Sequence, residues 1–528
     1  MKQSVQIVGR ITAGAVLLGA VGVAAWWDHS ADAEPLLTGA EGPVSQHVEI
    51  ADARTLLACP GQPVLASLGE DAPTQDADGE DEPPVGTYDP EYAPDAGNAT
   101  SLINAISIGT AQSAPATTIL DSLSLREEQP ETETVELGGS GAAHNGRITS
   151  EGPVSFIATA RPDSDQNPLV TGVRFGSATE GDLRGIAATP CIPIAAEQWL
   201  IGGQTEAGSS AKLELMNPSD TAASVRLDLW GAAGPIDPVG SSSVLVPPGE
   251  HRSILLEGLA PAERRVAVRV QSSGARVGAV IQDVRTLGLR PAGVDYVAPA
   301  APLDTVAAIP GLEIQDGDAA FLRLLVPGDE PGSVDIKLVG PTGDIGIEDL
   351  LAQEVAGDSV TDISLAGIPS GTYTAIIESD VPLTASAFLA SGEEDSERDI
   401  AWMPAVARDT TNVFALPEAE VEVARTLVVA GVEEEAVAQI SFLTDGGEIV
   451  ETDQLFVAAG EARNIRVPEQ AGEENVEEDV VGVLVESDEP VAAGLVLRSE
   501  VIQPGGVALL PGMARSILPS GIDVQYRP

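Results

Sequence analysis

Four histidines, His29, His47, His144 and His251, and two cysteines, Cys59 and Cys191, are the side chains best suited to nucleophilic, general-base or soft-metal chemistry. Their spacing supports none of it. No histidine has a second histidine or a cysteine at the three- to five-residue interval that brings two ligands onto one metal. No Ser lies in a G-x-S-x-G elbow, and no P-loop, H-E-x-x-H helix or G-x-G-x-x-G turn is present. Carboxylates are abundant, but abundance singles out no acid–base pair of the kind glycoside hydrolysis requires. The sequence therefore assigns no catalytic residue and no cofactor.

Hard cations take oxygen ligands, and two stretches offer them at alternating positions. Asp163, Asp165 and Asn167, in Asp163-Ser164-Asp165-Gln166-Asn167, are the candidate metal ligands. The stretch lacks the Gly at the sixth position and the Glu at the twelfth of a helix-loop-helix calcium site. Asp76-Ala77-Asp78-Gly79-Glu80-Asp81-Glu82 is a second candidate. An acidic, solvated turn is the competing reading of both. The two cysteines fall in a part of the chain that reads as exported, where an even pair is expected to form a disulfide, Cys59–Cys191.

The elements that would position such groups follow from composition. Aromatic residues make up 3% of the 528, so cores must rest on Val, Leu, Ile and Ala. Acidic residues outnumber basic ones by 81 to 27, a formal net charge of -54, which repels nucleic acid and anionic lipid and attracts cations. Lysine occurs only at Lys2, Lys212 and Lys337; the Arg, Ala, Gly and Val usage points to a high-GC genome, and the acidity also to salt adaptation.

At the amino terminus Lys2 and Arg10 precede an uncharged apolar run from Ile11 to Trp27, followed by Asp28, Asp32 and Glu34. Positive charge stays in the cytoplasm, which places the rest outside. The segment 11–27 reads as a single-pass transmembrane anchor, with Trp26-Trp27 at the interface and residues 28–528 extracytoplasmic. Ala31-Asp32-Ala33 keeps open the alternative of cleavage near Ala33 and secretion.

Beyond a linker at 28–43, a feature recurs. Glu378-Ser379-Asp380-Val381-Pro382 returns as Glu486-Ser487-Asp488-Glu489-Pro490, and a degenerate Gln271-Ser272-Ser273-Gly274 precedes it by nearly the same interval. Alternating apolar positions flank each copy, so each reads as the turn of a β-hairpin. Pro168-Leu169 stands two such intervals before Pro382-Leu383, and Leu169/Thr171/Val173/Phe175 line up with Leu383/Ala385/Ala387/Leu389. Four copies imply four tandem domains: 44–196 with an acidic, disordered insert at 70–98, then 197–303, 304–407 and 408–528. Period-2 strands and regular turns predict an all-β fold of antiparallel, Ig-like sandwiches. Only Ile347-Glu348-Asp349-Leu350-Leu351 suggests a helical turn. Tyr296 and Trp402 read as packing at core or junction rather than as sugar platforms. Pro-bearing connectors predict an extended rod, on the order of 150 Å for four domains.

The motifs Asn217-Pro218-Ser219-Asp220 and Val246-Pro247-Pro248-Gly249, with the repeated Ala/Val strands and the amino-terminal anchor, resemble an actinobacterial family of exported or membrane-anchored proteins that carries a domain of unknown function. The resemblance covers roughly residues 180 to 520. It implies a cell-envelope location and transfers no site residues. The expected role is a non-enzymatic spacer, scaffold or interaction module, its partners the membrane, through the anchor, and a cell-wall polymer or envelope proteins. A carbohydrate- or divalent-cation-binding surface protein is the first alternative. A cell-wall enzyme with an unrecognised carboxylate site is the second.

Overall fold

The structure, a computed structural model, describes residues 44–49, 54–64, 98–108, 118–124, 132–137, 143–148, 152–159, 169–239, 242–288, 290–393, 396–472, 478–502, 505–514 and 521–526. The candidate anchor 11–27, the insert 70–98 up to its last residue, and the candidate cation ligands Asp163, Asp165 and Asn167 lie outside these residues. The chain is all-β, built of antiparallel sheets, with short 3-10 turns at Leu256–Gly258 and Glu348–Leu350. Among the described residues no helix is long and apolar enough to cross a membrane.

Two units are present. Val44–Glu49 and Gly521–Tyr526 pair antiparallel and belong to the smaller unit. Residues 52–518 form the larger. Within the larger unit one strand pattern occurs four times. In the second repeat, Glu197–Ile201, Ala267–Ser273 and Ala223–Gly231 make one sheet, extended by short strands at Gly234–Ile236 and Ser243–Val246. Glu250–Leu255, Ser209–Asn217, Gly278–Leu287 and Arg290–Val297 make the other. The inner faces meet in one core: Leu213, Leu215, Ala279 and Ile281 from one sheet pack against Val225, Leu227, Val268 and Val270 from the other. Alternation explains the choice, since Val225, Leu227 and Leu229 point inward while Ser224 and Arg226 between them are exposed.

The recurring Glu-Ser-Asp stretch is not a hairpin turn. Gly371–Ser391 is one continuous strand whose two halves pair with different partners. Residues 374–379 pair with Gly332–Gly340, and 384–390 pair with Ala319–Val326 in the other sheet. Glu478–Ser499 does the same, its first half against Ala436–Thr444 and its second against Ala424–Gly431. The motif is a corner at which a strand leaves one sheet for the other. Its acid fastens the neighbouring strand: Asp380 accepts the Ser333 amide at 2.8 Å, and Asp488 accepts the Val437 amide at 2.7 Å.

The correspondence between Leu169/Thr171/Val173/Phe175 and Leu383/Ala385/Ala387/Leu389 also fails, by one residue. The residues of the third repeat fill their own core. Leu169, Val173 and Phe175 instead pack against Leu427, Val483 and Leu495 of the fourth repeat. An offset of one residue reverses the face a strand presents.

The repeats do not extend as a rod. The last strand of each repeat, Gly185–Pro190, Arg290–Val297, Asp399–Pro404 and Gly506–Pro511, lies beside the last strands of the repeats before and after it, and the fourth lies beside the first. The repeats therefore close into a ring. Outer faces pack across the junctions: Phe388, Ala390, Ile400 and Trp402 of the third join the core of the second, Ala492, Val496, Val507 and Leu509 of the fourth join that of the third, and Met216, Val280 and Tyr296 of the second form a separate cluster with Ala58, Leu183 and Ala187 of the first. Burial of these apolar outer faces favours closure over the extended arrangement that proline connectors alone would suggest.

Candidate functional site

The four last strands meet at the ring axis, and two carboxylates are buried there. Asp295 accepts the amides of Ala188, in the first repeat, at 3.3 Å and of Trp402, in the third, at 2.7 Å. Asp399 accepts those of Ile186, in the first, and Val507, in the fourth, both at 2.9 Å, and its own Oδ1 takes the Ile400 amide. The two acids thus tie together all four repeats. Burial pushes the Asp295 carboxyl well above its ordinary range, against the pull of its amide donors. Burial likewise raises Asp399, to about 7. The donors to both groups are main-chain amides.

A second set of buried polar groups crosses the junctions. Asn104, Glu214, Arg323 and Val428 occupy the same place in the four repeats, opposite Val173, Val280, Ser386 and Gly494. Glu214 accepts the Gly61 amide of the first repeat at 2.9 Å and is paired with Lys212 and Gln282. Arg323 donates to the carbonyls of Gly203 and Arg264 in the second repeat and forms a two-pronged pair with Asp362. Asn104 donates to the Leu416 carbonyl of the fourth repeat at 3.0 Å. At the third junction the place is taken by Val428, and Arg498 reaches the Glu313 carbonyl instead. Charged groups inside a junction persist only when each is paired, as Glu214 and Arg323 are.

Cys59 and Cys191 are disulfide-bonded, 4.2 Å apart at Cα and fully buried. The bond ties the first strand of the first repeat to the connector that leads into the second. Tyr296 and Trp402 are buried at junctions: the Tyr296 hydroxyl donates to the Gly61 carbonyl, and the Trp402 indole donates to Asp283 while its ring packs on Phe388. His47, His144 and His251 lie on strands Val44–Glu49, Ala143–Ile148 and Glu250–Leu255, and His29 lies outside the described residues. Among the described residues no group of three or more His, Cys, Asp or Glu side chains is arranged to hold a metal.

At one end of the axis the connectors leaving all four last strands line an apolar recess of about 390 Å³, with Ile192, Trp199, Pro299, Ala405 and Met513 on its wall. The two motifs that carried the resemblance are structural. Asn217 donates to the carbonyls of Thr221, Val246 and Pro247 and accepts from Ser219, while Gly249, at φ 66°, donates to the Asn217 carbonyl. One asparagine thus binds a loop and a turn together, and only glycine adopts that turn without strain.

Pattern reading of the sequence misses Asp295, Asp399, Glu214 and Arg323, although the signal is present. Each is a charge inside an apolar strand, as in Leu213-Glu214-Leu215 or Val294-Asp295-Tyr296, which period-2 patterning assigns to the solvent side.

A model of a family of unknown function (DUF5719) matches residues 145–468, a span that takes in the second and third repeats whole and parts of the first and fourth. No curated protein and no solved structure matches the chain.

Proposed function

The chain belongs to this family of unknown function, and since the family carries no assigned activity we propose a role from the residues themselves: a non-enzymatic, membrane-anchored scaffold of the actinobacterial cell envelope, built of Ig-like β-sandwich modules. The observation that carries this reading is the use of two buried carboxylates at the ring axis. Asp295 and Asp399 hold the repeats to one another through main-chain amides, a structural use of groups that an active site would aim at a substrate.

Location rests on two further features. Lys2 and Arg10 before the apolar run 11–27 orient the chain with its repeats outside the cytoplasm. A buried Cys59–Cys191 bond suits an oxidising compartment. The partners this reading implies are cell-wall polymer or other envelope proteins.

Fractionation tests it. The full chain is expected in carbonate-washed membranes, with Cys59 and Cys191 alkylated only after reduction. A cytoplasmic chain with freely alkylated thiols overturns the proposal.

A further inference from the structure

Lysine is scarce in this chain, and one of its three lysines stands in a reactive setting. Lys212 and Glu214 lie two residues apart on Ser209–Asn217 and so share a face, and Gln282 on Gly278–Leu287 is the direct cross-strand partner of Lys212. Lys212 Nζ and Gln282 Nε2 each lie 3.1 Å from the same atom, Glu214 Oε1. An amine, a carboxylate and a carboxamide thus meet at one oxygen. Glu214 and Gln282 are buried and the Lys212 side chain is 13% exposed, so water is largely kept from the carboxamide.

The surroundings of Gln282 suit acyl transfer. Its orientation is set by its partners: Oε1 accepts the Val64 amide at 3.4 Å, and Nε2 lies 3.1 Å from the carbonyls of Gly61 and Gln62 as well as from Glu214. The Val64 N–H is a donor aimed at the oxygen that takes up charge when Cδ is attacked. Three acceptors surround a nitrogen that has only two hydrogens to donate. A departing ammonia, protonated by Glu214, has one hydrogen for each.

We propose that Lys212 and Gln282 join in an intramolecular isopeptide cross-link, with Glu214 as the catalytic acid–base. Glu214 Oε1 takes a proton from the Lys212 ammonium, which frees the Nζ lone pair to attack Gln282 Cδ. The Nζ–Cδ bond forms as the carbonyl π pair moves onto Gln282 Oε1, towards the Val64 amide. Glu214 passes its proton to Nε2, Nζ gives up a second proton, the carbonyl re-forms and the Cδ–Nε2 bond breaks. The ammonia leaves with that second proton as ammonium. Charge balances, no oxidant or reductant is consumed, and Glu214 ends as the carboxylate it began as. The product staples the two central strands of one sheet of the second repeat, beside the junction with the first. Lys337 supplies the contrast: it pairs with Glu378 at 2.7 Å, but the residue opposite it is Ile376, which offers no acyl group. The cross-link goes beyond the scaffold reading and does not depend on where the protein resides.

The intact mass of the reduced, denatured full chain reads the reaction, since the cross-link releases one ammonia. The parent and Lys337→Arg are expected to be one ammonia lighter than their sequences require, and Lys212→Arg to have the full mass of its own. A tryptic digest of the parent is expected to hold a branched peptide joining the segments that contain Lys212 and Gln282, and Lys212→Arg to lack it. Glu214→Gln, with its fold checked by thermal melt, loses acid–base catalysis worth about a hundredfold in rate and is expected to be isolated largely at full mass. A parent chain of full mass overturns the proposal, as does an ammonia loss that persists in Lys212→Arg. A folded Glu214→Gln chain that is cross-linked as completely as the parent overturns the role given to Glu214.

Discussion

Asp399 Oδ2 accepts the main-chain amide of Ile186 at 2.9 Å across 213 residues of chain. The same oxygen accepts the Val507 amide, also at 2.9 Å, so one atom of the third repeat holds the first and the fourth together. Ring closure, the largest departure from a string of separate domains, thus has a polar anchor at its centre and apolar outer faces around it.

The anchor makes stability depend on pH. Burial raises the Asp399 carboxyl from 3.8 to about 7. Between those values the folded chain holds a proton that the unfolded chain has lost, so the stabilisation is complete below the lower value and is lost as pH rises through the upper one. Asp399→Asn removes this titration. The drop in unfolding free energy between pH 4 and pH 7 should shrink by on the order of 4 kcal/mol relative to the parent. Urea denaturation at both pH values measures it, and an identical drop in the variant would sink the idea.

Arg323 is 1% exposed and bridges two carbonyls of the second repeat and Asp362. Removing one partner of such a group leaves the others buried and unmatched. Arg323→Met is expected to destabilise the chain by about 3–5 kcal/mol. Arg264, whose pair with Glu206 is exposed, should cost at most about 1 kcal/mol on the same change. Similar midpoints for the two variants would show that the junction does not need its charge.

The disulfide closes a separation of 132 residues. In the chain-entropy account, Cys59→Ser/Cys191→Ser costs on the order of 5 kcal/mol. Hydrogen exchange should accelerate first in Arg54–Cys59 and in Val154–Thr159, its sheet neighbour. Loss of protection confined to the third repeat would contradict this.

Asp380 and Asp488 each hold one strand amide at a sheet corner. Changing either to Ala should cost about 1 kcal/mol, the worth of one ordinary hydrogen bond. Millimolar calcium should shift the melting temperature of the parent and the double variant equally. A calcium shift present only in the parent would make the corners cation sites.

By itself the amino-acid sequence determined the strand content, the long repeat period and the pairing of the only two cysteines. Each of these follows from local pattern or from counting. Alternation at Val225, Leu227 and Leu229 is enough to make a strand with one buried face. Alternation does not say which strand pairs with which, and so the stretch at Glu378-Ser379-Asp380 reads as a hairpin turn although its two arms enter different sheets. Nor does it say which face meets the core, and a one-residue offset at Leu169 turns that strand toward the fourth repeat. Only the tertiary structure decided that the repeats close, because closure depends on the outer faces of strands whose partners lie in another repeat. For the same reason Asn104, Asp295 and Asp399 read as ordinary strand residues: what makes each of them matter is a backbone group far away in the chain, brought within about 3 Å by the ring.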